Sequence, residues 1–302
     1  MTEHGTAADV GTAVPWAAAA ALGERMTAAA AAFAETLDAS QRLHALRPFS
    51  GAAHRDWHYV PRARPGLPLR AMAEAQRKAA WTLVDAALSA EGAAKARGVL
   101  ALEAILRERT ANKAYRDPEN YALALFGEPG RGPWAWRFEG HHLSLTLTVV
   151  PSVGIALTPH FLGANPLSGR VVEDNHAHGG LARVLDQESA LAFEVVNGLD
   201  APALRQAVIA TRSPADFFTG PGRELAEAVM AKVREAGIGS IRFAWAGATT
   251  PEDLHYYRLH GPTLIVEYDK TDHDHAHSVW HDPTNLFGED HLRAHRLRAH
   301  GG

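Results

Sequence analysis

Two hydrophobic rhythms divide this chain. In the first 110 or so residues apolar positions recur at helical spacing, and after about residue 140 many alternate with polar ones. From Ala17 to Leu46, strong helix formers carry Met26, Ala29, Phe33 and Leu37 near one face, which predicts an N-terminal helix. Pro48, Pro61, Pro65 and Pro68 then remove the periodicity and predict an ordered loop with aromatic anchors. Residues 70–89 place Met72, Ala75, Ala79, Leu83 and Ala86 on one face, and 92–109 place Val99, Leu102 and Leu106 likewise. The pair reads as a helical hairpin turning at 89–92.

In the segment "HHLSLTLTVV", His141, Leu143, Leu145, Leu147 and Val149 alternate with His142, Ser144, Thr146 and Thr148, which predicts a strand. Residues 179–197, 201–211 and 222–236 look helical, while 241–247, 255–261 and 263–269 are strand-like runs separated by Gly and Pro turns. The histidine- and arginine-bearing tail from His291 to His300 reads as an amphipathic helix. The order gives an α+β fold, with N-terminal helices followed by a mainly antiparallel sheet and interspersed helices. No internal repeat or long linker is visible. Residues 1–50 are expected to be a peripheral N-terminal helical extension and 51–302 a single α+β domain.

Composition narrows the chemistry. The 302 residues carry 34 acidic and 30 basic groups, a net charge of -4, so no basic surplus favours nucleic acid or anionic lipid. The alanine run near the start has no basic segment before it and is too short to span a bilayer, so neither membrane nor nucleic acid is expected as a partner and a cytoplasmic location is. Cysteine is absent, which excludes thiolate metal sites and cysteine nucleophiles. No Gly-rich phosphate loop and no Gly-x-Ser-x-Gly elbow occurs. Any metal must be bound by nitrogen and oxygen.

Histidine supplies the nitrogen. Of 18 histidines, four fall in "HDHAHSVWHD", residues 273–282. On a strand, His275 and His277 point the same way about 7 Å apart, so one ion can take both. Against this stands the plainer reading of a solvated His/Asp loop. The adjacent His141 and His142 should point to opposite faces, so one of them is expected to join a shared site. Glu267 lies in the apolar run "TLIVEYD" and needs a compensating partner, as ligand or as general base. Glu267 and Asp282 are the candidate catalytic carboxylates. His295 is placed to return toward the histidine pair. Glu188, on the apolar face of 179–197, reads more readily as a salt-bridge partner than as a ligand, and His176 and His178 as part of a loop.

Taken as a set, "WHYVPRARPGLPLRAMAEAQRKAAWTLVDAALSAEG", "YALALFGEPGRGPWAWRFEGHHLSL", "FLGANP", "IRFAWAG", "HYYRLHGPTLIVEYD" and "HAHSVWHD" resemble the bacterial DUF3500 family. The resemblance spans about Trp57 to His295 and includes Gly140, His141 and His142, then Glu267, Tyr268 and Asp269, then His275, His277, Ser278 and Trp280. His281 and Leu286 depart from the family pattern. No reaction comes with the family, so function rests on side-chain chemistry. The expectation is a metal-dependent enzyme acting on a small molecule, hydrolytic or redox. Its divalent transition metal (Zn, Fe or Cu) would be held by His275, His277 and one of His141 and His142. A non-catalytic metal- or ligand-binding protein is the alternative.

Overall fold

The structure, a computed structural model, describes residues 16–49, 51–111, 113–171, 180–221 and 241–300. Its N-terminal third holds α1 (Trp16–Glu35), α2 (Ala39–Ala45), β1 (Leu46–Arg47), α3 (Gly51–Arg55), β2 (Leu67–Pro68), α4 (Glu74–Ala87) and α5 (Ala90–Arg109). Then follow β3 (Ala122–Phe126), β4 (Trp134–Gly140), β5 (Leu143–Val150), β6 (Gly154–Ala156), β7 (His160–Ala164), β8 (Ser168–Val171) and β9 (Gly180–Arg183). The last part comprises α6 (Asp186–Gly198), α7 (Ala201–Ala207), β10 (Val208–Ala210), β11 (Arg242–Gly247), β12 (His255–His260), β13 (Ile265–Asp272), β14 (His275–His281) and α8 (Glu289–His300).

This is the α+β arrangement the sequence predicts. Ten strands run in the order β1-β3-β4-β5-β7-β14-β13-β12-β11-β10, with β2 added beside β3 and β6 beside β5. Only the β1–β3 and β10–β11 pairings of this sheet are parallel. β8 and β9 form a separate antiparallel pair.

One face of the sheet packs against helices. Leu143, Leu145, Leu147 and Val149 of β5 join residues of α1, α4, α5 and α6 in the main core. The other face was expected to be polar because Ser144, Thr146 and Thr148 occupy the alternate positions. It is polar but not wet, since all three are fully buried. The proline-rich segment after α2 lies over it, with His54 Nε2 3.0 Å from Thr148 Oγ1. Burial, then Arg137 and Arg55, lower the His54 pKa to about 3, so its ring is neutral there. Arg64, Arg137 and Glu139 on this face are paired, as burial requires. Arg64 Nε stands 2.9 Å and Arg137 Nε 3.2 Å from the Glu139 carboxylate, which also accepts from the His58 amide at 2.9 Å. A second aromatic cluster of Trp57, Tyr59, Phe161, Phe217 and Tyr256 fills the same side.

Several local expectations change. The N-terminal helix is not a peripheral extension: Met26, Ala30 and Phe33 have no exposure and belong to the main core. α1 supplies a wall that the sheet alone lacks, which its alanine-rich sequence does not advertise. α4 and α5 are consecutive, with Ser89 capping α5 through the Gly92 amide, but α4 packs mainly on α1 and α5 on β7, β8 and β9. The 179–197 stretch divides into β9 and α6, and α6 buries Ala192, Phe193 and Val196 while Leu191 and Val195 are exposed. The expected helix over 222–236 and the His176/His178 pair lie outside the described residues.

Candidate metal centre

Most of the stretch "HDHAHSVWHD" is a central strand, β14. β14 runs between β7 and β13, so His275 and His277, two residues apart, project to the same side. His273 sits in the turn preceding it and is exposed.

His141 and His142 are not strand residues. They form the two-residue turn between β4 and β5, and His142 takes a left-handed φ of 61°. The turn is fixed from three directions. Tyr121 Oη donates to the His141 carbonyl at 2.7 Å, the His142 amide donates to the Tyr59 carbonyl at 3.0 Å, and the Gly163 amide donates to the His142 carbonyl at 2.7 Å. Two glycines admit these neighbours. A Cβ on Gly140 would lie 2.1 Å from the Tyr121 ring, and one on Gly163 would lie 2.9 Å from the His142 ring.

Strand alternation therefore does not separate the two histidines as expected. Their rings stack with centroids 3.6 Å apart, and the turn aims His142 across β7 toward β14. His142 Nε2 stands 2.9 Å from His275 Nε2. One nitrogen from each of His142, His275 and His277 lies within 4.8 Å of the others, and the triad can hold a metal ion. Burial, and then the neighbouring imidazoles, push the His142 pKa well down. Burial followed by His277 lowers that of His275 to about 4. Both rings are thus neutral near pH 7, the form that ligates.

Carboxylates stand behind the triad. His277 Nδ1 lies 3.4 Å from Asp216 Oδ1, whose other oxygen accepts from Tyr59 Oη at 2.6 Å. Burial works to raise the Asp216 pKa, but hydrogen bonds from His277 and Tyr59 outweigh it and the net shift is downward. His277 Nε2 is buried with no hydrogen-bond partner, so the nitrogen opposite the carboxylate is the one available to an ion. His275 Nδ1 is 3.6 Å from Asp272. Asp269 faces His277 in the β13–β14 ladder. Its pKa is raised to about 7 by burial, partly offset by a bond from Ser213, and Asp216 and Glu267 add to the rise. Ser213 Oγ donates to Oδ1 at 3.0 Å, and Oδ2 has no partner.

Other candidates fall elsewhere. His141 donates through Nδ1 to Glu103 Oε2 at 2.5 Å and is not among the three clustered imidazoles; neither is His295. Glu267 is wholly buried, and hydrogen bonds compensate it. It accepts from the Phe218 amide at 2.9 Å, the Thr219 amide at 2.7 Å, the Thr219 hydroxyl and Tyr256 Oη at 2.6 Å. It thereby ties down the loop that carries Asp216. Asp282 accepts from the amide and hydroxyl of Thr284 in the turn after β14. Glu188 pairs with Lys95 Nζ at 2.6 Å.

Glu103 and Asp216 escaped the sequence reading. For Glu103 a signal existed, an acid between Leu102 and Leu106 on the buried side of α5. Asp216 gave none, because its relation to His277 is made across 61 positions by loop packing.

Glu267→Gln should destabilise the fold by about 2–4 kcal/mol, because one amide oxygen cannot serve four donors. Denaturant unfolding measures the loss. At saturating metal the variant should keep full stoichiometry, and stoichiometric loss of metal would make Glu267 a ligand after all.

A family model described as "Protein of unknown function (DUF3500)" matches residues 19–224 and 221–289. No curated protein and no solved structure matches the chain. Among the described residues no helix is long and apolar enough to cross a membrane.

Proposed function

The chain belongs to the DUF3500 family, defined without an assigned activity, and on that footing we propose that it is a metal-dependent hydrolase of a small molecule. One divalent transition-metal ion would be held by His142, His275 and His277. The observation that carries this reading is the convergence of three imidazole nitrogens within 4.8 Å, two of them on rings backed by a carboxylate at Nδ1. Zn, Fe and Cu all suit three neutral nitrogens. Three protein ligands leave a position open, the arrangement of a catalytic rather than a structural site. An ion bound there supplies Lewis acidity, polarising a carbonyl and bringing the pKa of a coordinated water toward neutrality.

The protein's own residues supply the rest. Asp216 orients His277 and fixes its tautomer. Asp269, with one buried oxygen unpartnered, is the proton acceptor. Tyr59, Phe161 and Phe217 surround His277 with ring centroids at 5.2, 5.4 and 5.9 Å and limit water around it.

Elemental analysis of protein purified without a histidine tag tests the reading, since a tag would contribute its own ligands. About one equivalent of Zn, Fe or Cu per chain is expected. It should persist through the ordinary histidine range and be lost only on acidification toward about pH 4, where His275 takes up a proton, because protonated imidazole does not ligate. Hydrolysis of a panel of small esters and amides should require the metal. Retention of metal without turnover would favour the binding-protein alternative. Failure of reconstituted protein to take up any of the three metals, with no metal-dependent change in melting temperature, would sink the proposal.

A further inference from the structure

Beside the triad lies a cation with no anionic partner among the described residues. Arg116 follows α5 in the segment leading to β3, and its side chain is half-buried. Its Nη1 stands 2.8 Å from His141 Nε2 and 3.0 Å from Nδ1. Since His141 Nδ1 donates to Glu103, Nε2 is the lone pair that receives the guanidinium proton. A line of contacts thus runs Glu103–His141–Arg116, and the His141 ring stacks 3.6 Å from that of His142. Arg116 also sits 5.0 Å from the centroid of the Tyr115 ring. An imidazole and an aromatic face hold this guanidinium in place without neutralising it.

Three carboxylates of the surrounding segments are paired elsewhere. Asp117 pairs with Arg70 at 3.2 Å and Arg107 at 3.4 Å. Asp216 is bonded to His277 and Tyr59, and Asp274 pairs with Arg109 at 3.0 Å. Among the described residues Arg116 has no salt-bridge partner, and its Nε and Nη2 make no hydrogen bond. This arginine is positioned by a buried Glu–His pair, and the His141 ring that holds it stacks on His142 of the triad. Preorganising a cation at that expense serves a ligand.

We propose that Arg116 anchors a carboxylate group of the substrate, so that the small molecule acted on at the triad is a carboxylic acid anion. The inference rests on the metal-centre reading for the identity of that site. A planar guanidinium with two free donors matches a carboxylate in charge and shape, whereas a phosphate dianion calls for more than one cation. His141 thereby acquires a role distinct from that of its neighbour. His142 faces the ion, and His141 is a positioning residue for Arg116.

Acetate is the probe. Titrated into Co(II)-loaded protein, it should shift the visible bands saturably. Arg116→Ala should raise its dissociation constant about tenfold, the worth of a charge-assisted hydrogen-bonded pair, with Arg116→Lys in between and the cobalt stoichiometry unchanged. Equal acetate affinity in the parent and Arg116→Ala overturns the inference while leaving the metal centre standing. A second measurement needs neither a variant that folds nor a metal. In heteronuclear NMR of the arginine Nε–Hε groups, acetate in place of chloride at matched ionic strength should move the Arg116 signal of the parent protein. If cobalt does not bind, the proposed function falls and this measurement alone decides the carboxylate site. An unmoved Arg116 signal overturns it in either case.

Discussion

Replacing His142, His275 or His277 by alanine is expected to weaken metal binding about a hundredfold or more for each substitution, and the His275→Ala/His277→Ala double variant is expected to bind no stoichiometric metal. The reason is arithmetic of ligands. Three imidazoles share the ion, and a structural-strength site is worth about 10–16 kcal/mol, so each ligand contributes several. His141→Ala makes the control. It removes a ring that stacks on His142 and bonds Glu103, so affinity should fall by about tenfold at most, with stoichiometry intact. Competition against a chelator of known affinity reads the five variants and the parent on one scale. Equal losses from His141→Ala and His142→Ala would contradict the division of labour in the β4–β5 turn. A double variant that still binds one equivalent would remove the triad altogether.

Deleting residues 1–45 should abolish the cooperative melting transition rather than trim a dispensable extension. Met26, Ala30 and Phe33 of α1 are completely buried against the core that also contains the β5 residues Leu145 and Leu147. Removing the helix would bare that side of the sheet to water, at roughly 25 cal/mol for each Å² of apolar surface. The graded version is Phe33→Ala, expected to cost about 3–5 kcal/mol because the vacated volume lies in a closed core. Calorimetry on the deletion and denaturant titration on the point variant provide the check. A truncated chain that melts cooperatively near the parent temperature would show that the core begins after α2.

The two effects illustrate different degrees of legibility. That 275 and 277 share a side follows from the two-residue period of any strand, and β14 obeys it. The neighbouring pair at 141 and 142 was read by the same rule and behaved differently, because a tight turn replaces alternation with a left-handed residue. Nothing in "GHHLSL" distinguishes a strand start from a turn until the partner strand β4 is known. Glu267 shows the same limit from another side. Its need for compensation was visible in the apolar run around it, but whether the compensator would be an ion or a set of N–H and O–H donors was not.

By itself, the sequence determined the periodic features: helices before strands, an α+β class, the β5 alternation, the absence of thiolate chemistry and the common side of His275 and His277. Each depends on local geometry or composition, which neighbours in the chain settle. Only the tertiary structure decided that α1 belongs to the core, that His142 rather than His141 meets the pair on β14, that Asp216 backs His277, and that Arg116 stands beside the triad. Those relations join residues brought together by the β5–β7–β14 pairing and by loop packing. Their energies come from burial and hydrogen bonding between distant segments, and no local period encodes them.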